Sequence, residues 1–184
     1  ATDATLVVDC GHAGTTVTPV VRGAVKGRGV RRCDVGGQAL TGYLRELVSY
    51  RQYDMMSETV TLDKLKRDLC FVSLDFRGDV AKCAGTTRER GRSGPHYAEF
   101  VLPDFHTVDQ GYARFPERRT HTDATPQFLR LESERFCAPE LLFAPQDCGL
   151  RQCGVHEQGR KRVIQRRFNV GVLEAMSERK ASTL

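Results

Sequence analysis

Two short runs of apolar and β-branched residues lie near the start of the chain, separated by a turn with two glycines. The first run covers residues 5–9 and ends in Asp9, and the second covers residues 15–21. Apolar β-branched runs on either side of a glycine-containing turn are typical of a β-hairpin. The sequence therefore predicts a hairpin whose turn lies between Gly11 and Gly14.

This turn has the composition of a phosphate-binding loop. Glycine lets the backbone approach a phosphate closely and aim amide groups at it. Asp9 can hold Mg²⁺ through a water molecule, because Mg²⁺ favours one or two carboxylates together with phosphate oxygens. With Asp9, the residues Gly11, Gly14 and Thr15 form the candidate nucleotide site. The alternative is a tight hairpin turn without a ligand, since short motifs of this kind also occur by chance.

The pattern after the hairpin is mixed. The segment 22–32 contains three glycines and five basic residues, which indicates a loop or an irregular strand. Apolar residues at helical spacing predict a helix over residues 39–50, after the Gly36-Gly37 pair. A second helix and a buried strand at 70–74 are expected next. The apolar residues of that second helix are Val60, Leu62, Leu65 and Leu69.

Two polar stretches, 77–96 and 106–125, are expected to be exposed loops. Alternating apolar residues in 127–136 suggest a second hairpin. Residues 139–143 are expected to start a short helix, with proline in its first turn.

The formal net charge of +5 is unevenly distributed. Residues 151–184 carry all of it, and residues 1–150 are neutral. The body of the chain is therefore not expected to bind nucleic acid. The basic tail at 160–184 can contact DNA phosphates, or it can be a solvated or partner-binding tail. No apolar run reaches the roughly 18 residues of a transmembrane helix, so no membrane association is expected.

Seven cysteines, several of them inside apolar segments, favour reduced, buried thiols over a disulfide framework and favour an intracellular protein. Cys148, Cys153 and His156 are alternative Zn²⁺ ligands. Their spacing lies outside the common zinc-finger patterns, and no fourth ligand is evident. Buried structural thiols are the preferred interpretation.

Four blocks of sequence resemble the actin family, in the order in which that family carries them. Residues 6–11 with 18–20 are similar to the second phosphate-binding hairpin of actin. The following blocks are residues 32–44, 63–76 and 130–145. The resemblance implies an α/β fold, namely an actin-like ATPase (ribonuclease-H-like) lobe with an inserted smaller α/β subdomain, incomplete relative to the full two-lobed fold. It places the ribonuclease-H-like portion at residues 1–36 and 126–184 and the inserted subdomain at 37–125.

The resemblance also implies which residues could contact a nucleotide and whether ATP is hydrolysed. In actin a Lys-Glu pair packs against the base and ribose of the nucleotide, and the matching pair here is Lys66-Arg67, so Lys66 joins the candidate site. Actin carries an acidic residue where this chain has His12. A neutral imidazole does not replace a carboxylate beside Mg²⁺, so ATP with Mg²⁺ is a candidate ligand while hydrolysis is not expected.

Two blocks, 47–52 and 100–105, resemble a nuclear actin-related protein more than actin itself. The resemblance implies a non-catalytic scaffold subunit in the nucleus, with some cytoplasmic protein allowed. Its expected partners are the subunits of a chromatin-remodelling ATPase complex and, through that complex, the nucleosome and a variant histone. The alternatives are an actin-like ATP-binding ATPase and a truncated product without an independent function.

Overall fold

The computed structural model of the chain describes residues 4–84, 95–106, 108–115 and 126–158. The chain divides into two compact units, one formed by Ala1–Leu40 with Glu140–Leu184 and the other by Thr41–Pro139. The subdomain boundaries expected from the sequence, after residues 36 and 125, stay predictions. In the described part of the chain, no helix is both long and apolar enough to cross a membrane.

The first unit is built on a four-stranded sheet. Its strands are β1 (Ala4–Cys10), β2 (Thr15–Val21), β3 (Ala24–Val25) and β4 (Arg31–Cys33). β1 and β2 pair antiparallel over their whole length, which confirms the predicted hairpin. β3 and β4 pair with the other edge of β2. The segment 22–32, expected to be a loop or an irregular strand, thus contributes two short strands joined by a 3₁₀ turn.

The two strands of the hairpin differ in how they are covered. On β2, the side chains of Thr15 and Val17 are 0% and 2% exposed. On β1, Val7 and Val8 point to opposite faces and are 48% and 42% exposed. Within the described residues β1 pairs only with β2. Among these residues it is therefore the outer strand of the sheet, and Val7 and Val8 are exposed on its two faces.

A pair of hydrogen bonds joins the end of the described chain to this sheet region. The amide of Asp34 donates to Oε1 of Gln152 at 2.9 Å, and Nε2 of Gln152 donates to Oδ2 of Asp34 at 2.7 Å. The bond from Gln152, followed by that from Arg32, lowers the pKa of the Asp34 carboxyl. Residues that lie more than a hundred positions apart in sequence are thereby connected within one unit.

The second unit combines helices with a three-stranded antiparallel sheet in the order β6-β5-β7. Its helices are α1 (Gly37–Arg51), whose first residues belong to the first unit, α2 (Thr59–Leu69), α3 (Phe76–Ala84) and α4 (Glu134–Glu140). Its strands are β5 (Ala98–Val101), β6 (Tyr112–Arg114) and β7 (Phe128–Leu131). The two helices predicted from apolar spacing correspond to α1 and α2.

The hydrophobic core of this unit is formed by α1, α2 and the sheet. Leu44 of α1, Leu62 and Leu65 of α2, and Phe100 of β5 are all fully buried members of it. Val60 was predicted as one of the apolar residues of the second helix, but it is 84% exposed at the start of α2.

The buried strand predicted at 70–74 is wrong. This segment is irregular, and Val72 and Leu74 are 45% and 67% exposed. The chain turns into α3 instead, because the carboxylate of Asp75 accepts a hydrogen bond from the amide of Gly78 at 3.0 Å, as an N-cap does. The loop expected at 77–96 is therefore helical up to residue 84, and residues 85–94 lie outside the described residues.

Three further expectations differ from the structure. The polar stretch 106–125 contains β6, while residue 107 and residues 116–125 lie outside the described residues. The hairpin at 127–136 is wrong, since β7 pairs with β5, which lies far earlier in the sequence. The helix expected to start at Pro139 is wrong: α4 begins at Glu134, where the Ser133 carbonyl accepts the amides of its first turn, and it ends at Glu140, so residues 141–143 form a turn.

Candidate functional site

The glycine turn between β1 and β2 is closed by its own backbone and packed on the start of α1. The amide of Gly11 donates to the carbonyl of Gly14 at 3.0 Å. The amides of Gly37 and Gln38 donate to the carbonyls of Gly11 and His12 at 3.0 and 2.9 Å. Two of the amide groups that a helix leaves unpaired at its N-terminus are thus satisfied by the turn.

Two glycines are required by this close packing. A Cβ at Gly36 would collide with the amide nitrogen of Gly14 and lie 2.7 Å from the carbonyl oxygens of Gly11 and His12. A Cβ at Gly14 would lie 2.7 Å from the carbonyl oxygen of Cys33. The turn, the residues before α1 and the end of β4 therefore form one tightly packed backbone assembly.

The two side chains proposed beside the turn do not converge. The hydroxyl of Thr15 is buried and donates to the carbonyl of Val35 at 2.8 Å. Asp9 is exposed and pairs with Thr16 in the ladder, whereas Thr15 pairs with Cys10. Paired residues share a face of the sheet, so Asp9 and Thr15 project to opposite faces.

The turn keeps some capacity for a phosphate. The amides of His12 and Ala13 donate no hydrogen bond to the described part of the chain. The exposed carboxylate of Asp9 ends the adjoining strand. These groups fit one phosphate with a water-bridged Mg²⁺, but the turn itself offers the imidazole of His12 and no carboxylate.

Lys66 lies in the second unit and is engaged by neighbouring side chains. Its Nζ donates to Oδ1 of Asp63 at 2.7 Å and to the hydroxyl of Thr41 at 2.8 Å. The hydrogen bond from Lys66 lowers the pKa of the Asp63 carboxyl. The side chain of Lys66 is only 15% exposed. Lys66 therefore ties α2 to α1, and its role toward a nucleotide stays a prediction.

Sequence reasoning missed the residues that secure these candidates. Four residues that were not predicted as site residues contact either a predicted site residue or the turn, namely Val35, Gly36, Thr41 and Asp63. The Gly36-Gly37 pair was an available signal, because adjacent glycines before a helix indicate close backbone contact as well as a chain break. The contacts of Thr41 and Asp63 depend on how α1 and α2 pack and had no local signal.

The cysteine expectations are met in part. Cys33 is fully buried, whereas Cys10 and Cys148 are exposed, so the expectation of buried thiols is wrong for these two. Across the described ranges, no three His, Cys, Asp or Glu side chains are placed to hold a metal ion. His156, one of the alternative Zn²⁺ ligands, is buried with its ring 6.2 Å from that of Phe143.

Comparison with known proteins identifies the family. Residues 1–178 match the actin family. Actin-related protein 6 of Drosophila melanogaster is 40% identical over 83% of this chain and 37% of its own length. The Neurospora crassa protein of the same name is 41% identical over 82% of this chain and 36% of its own length. Actin-related protein 6 of Oryza sativa subsp. japonica is 34% identical over 83% of this chain and 41% of its own length.

The chain thus spans between a third and a half of the length of these relatives. Its mixed helix and sheet, with the glycine turn between two antiparallel strands, is part of the larger fold of that family. The chain belongs to the actin family.

Proposed function

We propose that this chain is part of a non-catalytic actin-related subunit of a nuclear chromatin-remodelling complex, which exchanges a variant histone into nucleosomes. The similarity to proteins named actin-related protein 6 from an insect, a fungus and a plant supports this proposal. The remodelling ATPase and its other subunits are the direct partners. The nucleosome and the variant histone are reached through the complex.

The observation that carries the non-catalytic part is the exposed His12 in the glycine turn. By the resemblance, actin carries an acidic residue at the position of His12 that helps to order the metal and the attacking water, whereas the turn from Cys10 to Gly14 contains none. The hydroxyl of Thr15 is buried and donates to the carbonyl of Val35, and it does not replace the acidic group. These residues support a structural role rather than turnover.

Affinity capture of the endogenously tagged full-length protein from nuclear extract tests the proposal. We expect mass spectrometry to recover a large remodelling ATPase and a variant histone with it. The full-length protein, purified separately from the remodelling ATPase, should show no steady ATP turnover. Recovery of the protein as a free monomer, or with cytoplasmic actin-binding proteins alone, would contradict the scaffold role.

A second candidate, an ATP-binding protein with ATPase activity, is favoured by the amides of His12 and Ala13, which have no hydrogen-bond partner in the described part of the chain and lie beside Asp9. If Mg-ATP binds only the native state, it raises the unfolding temperature of the full-length protein. An Asp9→Asn variant, which keeps the size of the side chain, should reduce that shift if Asp9 holds the metal. No shift at millimolar Mg-ATP would remove this candidate.

A further inference from the structure

The turn that follows β5 displays an aromatic side chain from a strained backbone. Phe105 is 73% exposed, the second largest exposed fraction among the aromatic side chains of the described residues. Its φ angle is +58°, in the left-handed region that favours glycine and asparagine. A bulky residue at such an angle is uncommon and raises the conformational energy of the folded chain.

The turn holds Phe105 in a fixed position. Oδ1 of Asp104 accepts hydrogen bonds from the amides of His106 and Val108 at 2.9 and 2.8 Å. The carbonyl of Val108 accepts the amides of Asp104 and Phe105 at 3.1 and 3.2 Å. These four bonds constrain the backbone at Phe105 and at its described neighbours in the turn, and the exposed side chain extends from this backbone.

The backbone is also closely packed where the turn joins β5 and β6. Gly111 is buried at the start of β6, where an added Cβ would lie 2.7 Å from the carbonyl oxygen of Val101. The ladder pairs Val101 with Tyr112, so β5 and β6 meet directly at this end of the hairpin. Phe105 thus projects from a well-packed support rather than from a loosely held loop.

Two unfavourable features coincide at this one residue. Exposed aromatic side chains are ordinary when they occur singly on unstrained backbone. Tyr50, which is 93% exposed in α1, is such a case. At Phe105 the backbone strain is added to the exposure, and glycine or asparagine would relieve both. Such a departure from local stability is expected at functional positions.

We propose that Phe105 is the anchor of a protein–protein interface, inserted into an apolar pocket with a basic rim on another subunit of the complex. Aromatic residues that are held rigid before binding contribute most to such interfaces. The exposed residues of the turn beside Phe105 are Asp104, His106, Asp109 and Gln110, and two of these four carry a negative charge. A basic rim matches this surface, and the phosphates of a nucleic acid do not. The identity of the partner rests on the function proposed above.

The test uses the full-length protein and compares wild type with Phe105→Gly and Tyr50→Ala. Glycine accepts a φ of +58° without strain, so Phe105→Gly should unfold at the same temperature as wild type or higher. We expect it to lose at least tenfold in recovery of one subunit during affinity capture. Tyr50→Ala should recover every subunit at the wild-type level. Full recovery with Phe105→Gly, or an equal loss with Tyr50→Ala, would overturn the proposal.

A photo-crosslinking amino acid at position 105 or 50 identifies the contact directly. We expect position 105 to crosslink to a single protein, at a site with apolar residues flanked by Lys or Arg, and position 50 to give no such product. If the wild-type protein captures no remodelling ATPase, the proposed function fails while a single pocket crosslinked from position 105 still supports the anchor. Crosslinks that are absent from position 105, or scattered over several proteins, would refute it.

Discussion

The side-chain amide of Gln52 pairs with the backbone of Arg130 as a neighbouring strand would. Nε2 of Gln52 donates to the carbonyl of Arg130, and the amide of Arg130 donates to Oε1 of Gln52 at 2.7 Å. Arg130 lies in β7, an outer strand of its sheet. One side chain therefore closes part of an edge that would otherwise be open to pairing with another strand.

Replacing Gln52 with Ala is expected to destabilise the protein by about 1 kcal/mol, because both backbone groups of Arg130 lose their partner but remain accessible to water. Urea denaturation of the full-length protein measures the change. Gln38→Ala, at an exposed position in the first turn of α1, is the control and should change the stability by less than about 0.5 kcal/mol. Equal effects of the two substitutions would show that the Gln52 pairing does not contribute.

A buried carboxylate on β5 makes a second prediction. The side chain of Glu99 is 0% exposed, and its Oε2 lies 2.7 Å from Nη2 of Arg114. The hydroxyl of Tyr97 donates to Oε1 at 2.7 Å. Arg114→Ala should cost about 3–5 kcal/mol, because it removes the guanidinium that neutralises a buried carboxylate.

The double variant Glu99→Leu with Arg114→Leu should recover much of that loss, since an apolar pair needs no counter-charge. Thermal unfolding of the two variants and wild type provides the comparison. A double variant no more stable than Arg114→Ala alone would mean that packing, rather than the missing counter-charge, causes the loss.

The glycine turn makes a third prediction. Gly36→Ala should destabilise the first unit by about 1–3 kcal/mol, because the new Cβ meets backbone atoms of the turn that cannot move aside. Gly42→Ala is the matched control, since a Cβ there meets open space inside α1. It should raise stability by about 0.5–1 kcal/mol through the higher helix propensity of alanine. Similar unfolding temperatures for the two variants would contradict the packing of the turn.

Acid should weaken the contacts around α3. The hydrogen bonds from Lys82 and then from Ser73 hold the pKa of Asp79 well below its ordinary value. Because the folded pKa is depressed, the stability from Asp79 is present above its unfolded pKa of about 3.9 and is lost as the pH falls toward the folded value. Unfolding temperature measured from pH 6 to pH 2 should fall less steeply in Asp79→Asn than in wild type. Parallel curves would exclude Asp79 as a source of acid sensitivity.

The cysteines should differ in reactivity. Burial raises the pKa of the Cys70 thiol to about 12, so almost no thiolate forms at pH 8. Cys10 is exposed at the end of β1. Mass spectrometry after brief iodoacetamide treatment of the native protein should find Cys10 alkylated and Cys70 unmodified. Rapid labelling of Cys70 without unfolding would contradict its burial.

The sequence predicted those elements whose signal is local. The hairpin of β1 and β2 has its turn and both strands within a short stretch, and α1 and α2 carry apolar residues at helical spacing. The strand expected at 70–74 failed because an apolar run does not say whether a neighbour covers it, and Leu74 is exposed. The partner of β7 is β5, which precedes it by about thirty residues, so no turn signal could identify that pairing.

In the candidate site as well, local features were predicted from the sequence and tertiary contacts were not. The glycines of the turn were found from the sequence, and the structure places Gly11 and Gly14 in contact. The buried bond from Thr15 to Val35 and the ion pair of Lys66 with Asp63 arise from tertiary packing. The composition of the turn identified Thr15 as a candidate and the resemblance to actin identified Lys66, but the partners of both could be known only from the fold.

No described strand pairs with the outer edge of β1, and this edge can report on the rest of the protein. In an antiparallel pair, alternate amides of an outer strand point toward its neighbour and the others point away. Along the seven residues of β1, deuterium exchange should therefore alternate between slow and fast with a period of two. Any polypeptide that pairs with the free edge slows the fast positions and abolishes the alternation. The isotope pattern of this single strand thus reveals whether the sheet continues beyond it in the assembled protein.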